Sequence, residues 1–71
     1  MGHDFTVDAL TQEDVWWFIH HQHVVTSMIR CAKCGLYKLY VPTEGFDKAV
    51  YRRSLSSFNP FESSSEPACT Q

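Results

Sequence analysis

The chain has 71 residues and a formal net charge of −2. So short a chain is one small domain, and its apolar core alone is marginal; scaffolds of this size commonly add a disulfide, a metal or a partner subunit. The longest apolar run, Val15 to Ile19, is far too short to cross a bilayer. No basic stretch followed by an apolar run opens the chain as a secretory leader would, so the expected location is the cytoplasm. Thiols there stay reduced, and closely spaced cysteines point to metal or redox chemistry rather than to a structural disulfide.

The charge is unevenly spread. Asp4, Asp8, Glu13 and Asp14 make the first 22 residues acidic, with no Lys or Arg among them. All six basic residues, Arg30, Lys33, Lys38, Lys48, Arg52 and Arg53, lie in the middle, and Glu62 and Glu66 make the tail acidic again. This is either ordinary solvated charge or a basic central face that meets an acidic partner.

Thr11 is a candidate helix N-cap, with Asp14 three residues on, a capping box with Asp in the place of Glu or Gln. Glu13 and Asp14 also suit the positive end of a helix dipole. Val15, Trp16, Phe18 and Ile19 follow at near-helical spacing, which predicts a helix over 12–21. Trp16 and Trp17 cannot share one helix face, so one packs inward and the other is left exposed. Val24 to Arg30 is apolar and β-branched and reads as a strand; Leu36 to Val41 reads as another, ended by Pro42. The short Gly-containing turn between them makes a hairpin. Residues 48–55 fit a helix by the Phe46–Val50 spacing and a strand by their alternation, and a third strand is the preferred reading. Residues 56–71 are rich in Ser and Pro and read as an extended, loosely ordered tail. The fold class is therefore α+β: one zinc-binding domain over 1–71, with an N-terminal helix, a two- or three-stranded antiparallel sheet over 23–55, and a tail that returns to the metal.

The metal is implied by Cys31-Ala32-Lys33-Cys34-Gly35. A Cys-x-x-Cys turn places two thiolates within reach of one tetrahedral ion. The glycine after it permits a positive φ, and backbone N–H groups nearby can keep the thiolates ionised. The competing reading is a redox dithiol, but that motif opens a helix after a strand, whereas this pair lies between two strand-like runs. A closed structural site needs four ligands. The remaining candidates are His3, His20, His21, His23 and Cys69. His23 begins the strand that runs into Cys31, and nothing else explains a cysteine at 69, so the expected set is His23, Cys31, Cys34 and Cys69. His20 rivals His23, while His3 reads as part of a flexible end.

His23, then Cys31-Ala32-Lys33-Cys34-Gly35-Leu36, then Glu66-Pro67-Ala68-Cys69 resemble small bacteriophage-type proteins with a His…Cys-x-x-Cys-Gly-Leu…Pro-x-Cys pattern. The knuckle itself is similar to those of zinc ribbons and rubredoxin-like folds. The resemblance covers roughly residues 22–70 and implies a zinc fold, the same four ligands and a viral source. It implies no activity, since fold alone does not assign function.

No nucleophile–base arrangement, phosphate-binding loop or catalytic carboxylate pair stands out, and four ligands leave a zinc no open position for water; the expectation is not an enzyme. The preferred reading is a protein-binding module that docks on and modulates a host protein, with Trp16, Trp17, Tyr37, Tyr40, Arg52 and Arg53 as candidate contacts, the residue types of interface hot spots. Nucleic-acid binding is the second, with Tyr37, Tyr40 or Tyr51 stacking on bases, weakened by the negative net charge. A homodimer seamed along the aromatic helix is the third.

Overall fold

The computed structural model describes residues 2–62 and 65–70. A short strand β1 (Phe5–Thr6) leads through one 3-10 turn (Val7–Ala9) into helix α1 (Gln12–His20). Strands β2 (Ser27–Cys31), β3 (Tyr37–Thr43) and β4 (Phe46–Arg52) follow, then a second 3-10 turn (Leu55–Ser57) and the tail. The four strands form one antiparallel sheet in the order β1-β2-β3-β4. The α+β class holds, with one strand more than the sequence predicts.

The helix starts where its cap places it. Thr11 Oγ1 accepts from the Asp14 N–H at 3.1 Å, and Asp14 Oδ2 accepts from the Thr11 N–H at 2.9 Å, which closes the reciprocal capping box. Asp14 does a second job. It is buried, and its Oδ1 accepts a 2.6 Å hydrogen bond from the Tyr37 hydroxyl while Arg30 lies 3.4 Å from Oδ2. The first turn of α1 is thereby tied to β2 and β3.

Strand alternation sends Met28, Leu39 and Val50 to one face, where they are buried. Leu10, Trp17, Phe18, Leu55 and Phe58 pack against this core from the helix side. Leu36, Leu39, Val25 and Val50 are fully enclosed, each contributing roughly 1.5–3 kcal/mol. The segment after residue 55 is thus less loose than its composition suggests, because Leu55 and Phe58 help close the core.

Two boundaries move. β3 continues through Pro42 to Thr43, paired with β4 alone beyond Tyr40. The Tyr40 carbonyl faces β2, accepting from the Thr26 N–H at 2.8 Å. Alternation then aims the nitrogen of Pro42 to that same side, where β2 has ended and no donor is required. β4 is a strand, as preferred, but begins at Phe46, directly after a Glu44-Gly45 turn in which Gly45 has φ +94°. β2 begins only at Ser27, because Val24 and Val25 belong to the turn leaving α1, their N–H groups donating to the His21 carbonyl.

Candidate metal centre

Cys31 is the last residue of β2, and Cys34 sits in the turn before β3. Gly35 has φ +80°, which only glycine adopts easily, and a Cβ there would also lie 3.2 Å from the Arg30 guanidinium. The knuckle is therefore a strand–turn–strand, not a strand–helix junction. Three backbone N–H groups point at the Cys31 sulfur: those of Asp4 and Lys33 at 3.4 Å and Cys34 at 3.5 Å. Burial pushes the Cys31 thiol up, but these donors together with His3 hold it down at about 5. The Cys34 thiol is also held low, by N–H groups of Leu36 and Thr70, against the opposing effect of burial.

The tail brings Cys69 to the same place, its Sγ 3.9 Å from that of Cys31. The fourth donor is His3. Its Nδ1 lies 3.5 Å from Cys34 Sγ, and its Nε2–H donates to the Pro67 carbonyl at 2.6 Å. That carbonyl is the largest cause raising His3 to about 9, with the Cys31 and Cys34 sulfurs adding to it. The ligand atoms of His3, Cys31, Cys34 and Cys69 all lie within 4.8 Å of one another. A tetrahedral ion with Zn–S of about 2.3 Å and Zn–N of about 2.0–2.1 Å implies S···S edges near 3.8 Å and N···S edges near 3.6 Å. The Cys31–Cys69 and Cys34–His3 separations match these edges. The four residues can hold a metal ion.

Cys31, Cys34 and Cys69 therefore come together as the spacing predicts, but His23 does not join them. It is exposed, stacked near His21 with ring centroids 6.3 Å apart, on the turn after α1. His20 is also elsewhere, bonded through Nδ1 to the Trp16 carbonyl within the helix. The reason is β1. Phe5 pairs with Cys31 across the sheet edge, which carries His3, two residues earlier, to the knuckle. The only sequence trace of this strand is the short Phe5-Thr6-Val7 run, too brief to separate from a frayed end.

The six candidate contact residues divide. Trp16 is 55% exposed, and Trp17 is half-buried, edge-on to Phe58 at 5.3 Å and stacked on His21 at 3.9 Å. Tyr37 is buried on Asp14 and offers no contact surface. Tyr40 is half-buried, with the Lys38 ammonium 5.3 Å from its ring centre. Arg52 is held inward, donating to the Ser57 and Tyr51 carbonyls and paired with Glu62. Arg53 is exposed. The basic centre is consequently not one face. Lys38 lies among the rings of Phe5, Tyr40 and Tyr51 on the side of the sheet away from α1, while Arg30 and Arg52 register with Tyr37 on the helix side.

Comparison of the chain with protein families, with curated proteins and with solved structures finds no match. The resemblance to phage-type zinc proteins rests on the motif alone, and its histidine falls on a residue outside the cluster. Among the described residues, no helix is long and apolar enough to cross a membrane.

Proposed function

We propose that the protein is a non-catalytic binding domain stapled by one structural Zn²⁺, held by His3, Cys31, Cys34 and Cys69. The observation that carries this reading is the convergence of four ligand atoms within 4.8 Å at the point where β1, the knuckle and the tail meet. Three thiolates and an imidazole form a soft donor set suited to zinc. Four protein ligands fill a tetrahedron and leave no place for a reacting water, which favours a structural role. The His3 Nε2–H donated to Pro67 fixes the tautomer that leaves Nδ1 free to ligate. Because the ligands come from residue 3 and residue 69, the metal would fasten both ends of the chain to the sheet.

The surface that supports binding is the outer side of α1. Val15, Trp16 and Ile19 are exposed there at neighbouring helical positions. Asp8 and Glu13 flank them, with no cation before Arg30. A partner protein with an apolar, basic-rimmed surface fits this stripe, and a host protein is the partner we propose. Metal analysis of the purified chain tests the staple. One zinc per chain is expected, with loss of native circular dichroism on chelation; a metal-free chain with unchanged dichroism would overturn it.

A further inference from the structure

The three sulfurs of the candidate metal centre are not equally placed. Cys31 is buried, with three backbone N–H groups aimed at its Sγ, whereas Cys34 and Cys69 are half-buried. The knuckle is held by its own hydrogen bonds. The Cys31 N–H donates to the Leu36 carbonyl at 2.8 Å, and the Gly35 N–H to the Cys31 carbonyl at 3.0 Å. Cys34 Sγ also faces His3 Nδ1 at 3.5 Å. Cys69 lies in the tail, outside every helix and strand.

The Cys31 and Cys69 sulfurs are 3.9 Å apart. A disulfide holds its sulfurs at about 2.05 Å, so one of the two must advance by about 2 Å for a bond to form. Cys31 and Cys34 share one hydrogen-bonded turn, which resists such a shift between them. The tail sulfur is the one that can advance, and the buried Cys31 sulfur is in its path.

We propose that Cys31 and Cys69 form a reversible disulfide when hydrogen peroxide reaches the centre, and that its formation expels the metal. The metal half of this rests on the zinc reading above. The half-buried Cys69 thiolate attacks the O–O bond, takes one oxygen as a sulfenic acid and releases hydroxide. The Cys31 thiolate then attacks the Cys69 sulfur and displaces a second hydroxide, which closes the S–S bond. Two thiolates lose two electrons in all, and one peroxide is reduced to two hydroxide ions. His3 and Cys34 remain, half of the four ligands that a structural zinc needs. The tail stays fastened to the knuckle by the new bond after the metal has left. A dithiol reductant reverses the step by thiol–disulfide exchange, so in a reducing compartment the bond is transient.

Peroxide titration of the zinc-loaded full chain tests it, with released zinc read by a chromophoric chelator. Lys33 stands between Cys31 and Cys34, so trypsin places the three cysteines on separate peptides, 31–33, 34–38 and 54–71. One zinc is expected to leave per peroxide consumed, with the metal-free mass lower by two hydrogens. The non-reducing map should join 31–33 to 54–71, and dithiothreitol should restore zinc binding. A map that joins 34–38 to either other peptide overturns the proposal. So does zinc lost with the cysteines carried to sulfinic acid and no bond formed, or zinc retained in excess peroxide. A reduced chain that carries no zinc would remove the zinc reading instead, and the peptide map of that chain after peroxide would still decide the disulfide.

Discussion

His3 Nε2 donates to the carbonyl oxygen of Pro67 at 2.6 Å, across 64 positions of sequence. The bond joins the two ends of the chain beside the candidate metal centre, because Pro67 lies two residues before Cys69 and His3 two residues before the strand that pairs with Cys31. The imidazole side chain is only 3% exposed. It is a positioned side chain, not the mobile end that a terminal Met-Gly-His suggests.

The first expectation separates the histidines. His3→Ala should lower zinc affinity by at least about 100-fold, since it removes a ligand together with its orienting hydrogen bond. His23→Ala and His20→Ala should leave affinity unchanged. Competition with a chromophoric chelator measures all three, and a loss confined to His23→Ala would return the site to the set expected from the motif.

The cysteines should rank by what each sulfur does. Cys31 accepts three backbone N–H groups and is buried, so Cys31→Ser should abolish zinc binding and leave the domain unfolded, structural zinc being worth on the order of 10 kcal/mol in small domains. Cys69 closes the site from the tail, and Cys69→Ser should retain a weaker site on the remaining three ligands. Cobalt substitution checks this through the intensity of the thiolate-to-metal bands; equal spectra for wild type and Cys69→Ser would remove Cys69 from the site.

Zinc affinity should depend on pH through the protons that binding releases. In the unfolded chain the thiols keep an ordinary value of 9.0, whereas the folded site holds Cys31 at about 5 and Cys34 low as well. His3 is raised from 6.5 to about 9 in the site, so below pH 9 its proton must leave before Nδ1 can ligate. Both effects have one sign: protons compete with the metal, and zinc affinity should rise with pH up to about 9. Zinc competition at several pH values tests this, and an affinity that stays flat between about pH 6 and 9 would show that binding releases no proton from these groups.

Much of this architecture is legible in the sequence, and the exceptions have physical causes. The capping box of Thr11 and Asp14, the knuckle with its glycine and the hairpin are local patterns, each written in a few adjacent residues, while the return of Cys69, 38 residues from Cys31, is legible only because the knuckle supplies two ligands and few other donors remain. Chemistry at those positions admits few alternatives. His3 and β1 are not local. Two residues of strand have no periodicity to read, and their pairing is decided by the open edge of β2, which exists only once the hairpin has formed. Tyr37 escapes for a related reason. It is polar enough to suggest a surface, but Asp14 supplies a buried partner from an element distant in sequence. Arg52 is turned by nearer partners, the Ser57 carbonyl five residues on and Glu62.

Asp14 is expected to be the most sensitive polar residue outside the metal centre. Its carboxylate caps α1, receives the Tyr37 hydroxyl and faces Arg30, and it is 6% exposed. Burial pushes its carboxyl up, but the Tyr37 and Thr11 hydrogen bonds and the Arg30 charge outweigh that and hold it below the usual range. Asp14→Ala removes the carboxylate half of the capping box, leaving the Thr11 N-cap, and strands the Tyr37 hydroxyl, at a cost of about 2–4 kcal/mol. In the Tyr37→Phe background the same substitution should cost less, because no buried hydroxyl is then left unpaired. Additive losses in the double mutant would show that the Asp14–Tyr37 bond carries no coupling.

The adjacent tryptophans should part company under mutation. Trp17 packs on the core between His21 and Phe58, so Trp17→Ala should destabilise the domain by about 3 kcal/mol or more through the cavity it leaves. Trp16 is 55% exposed beside Val15 and Ile19, touching chiefly the His20 ring at a centroid distance of 6.1 Å. Trp16→Ala should therefore change stability by no more than about 0.5 kcal/mol and leave zinc content intact. If the α1 stripe is the docking surface, that same substitution should weaken partner binding by about 2 kcal/mol, as for a central aromatic anchor. Glu13→Lys, on the acidic flank, should slow association most at low ionic strength, where a basic-rimmed partner is steered most strongly. Thermal unfolding and binding kinetics on the same variants separate the two roles. A Trp16→Ala protein that is both fully stable and fully competent for every partner recovered with the wild type would move the docking surface off α1.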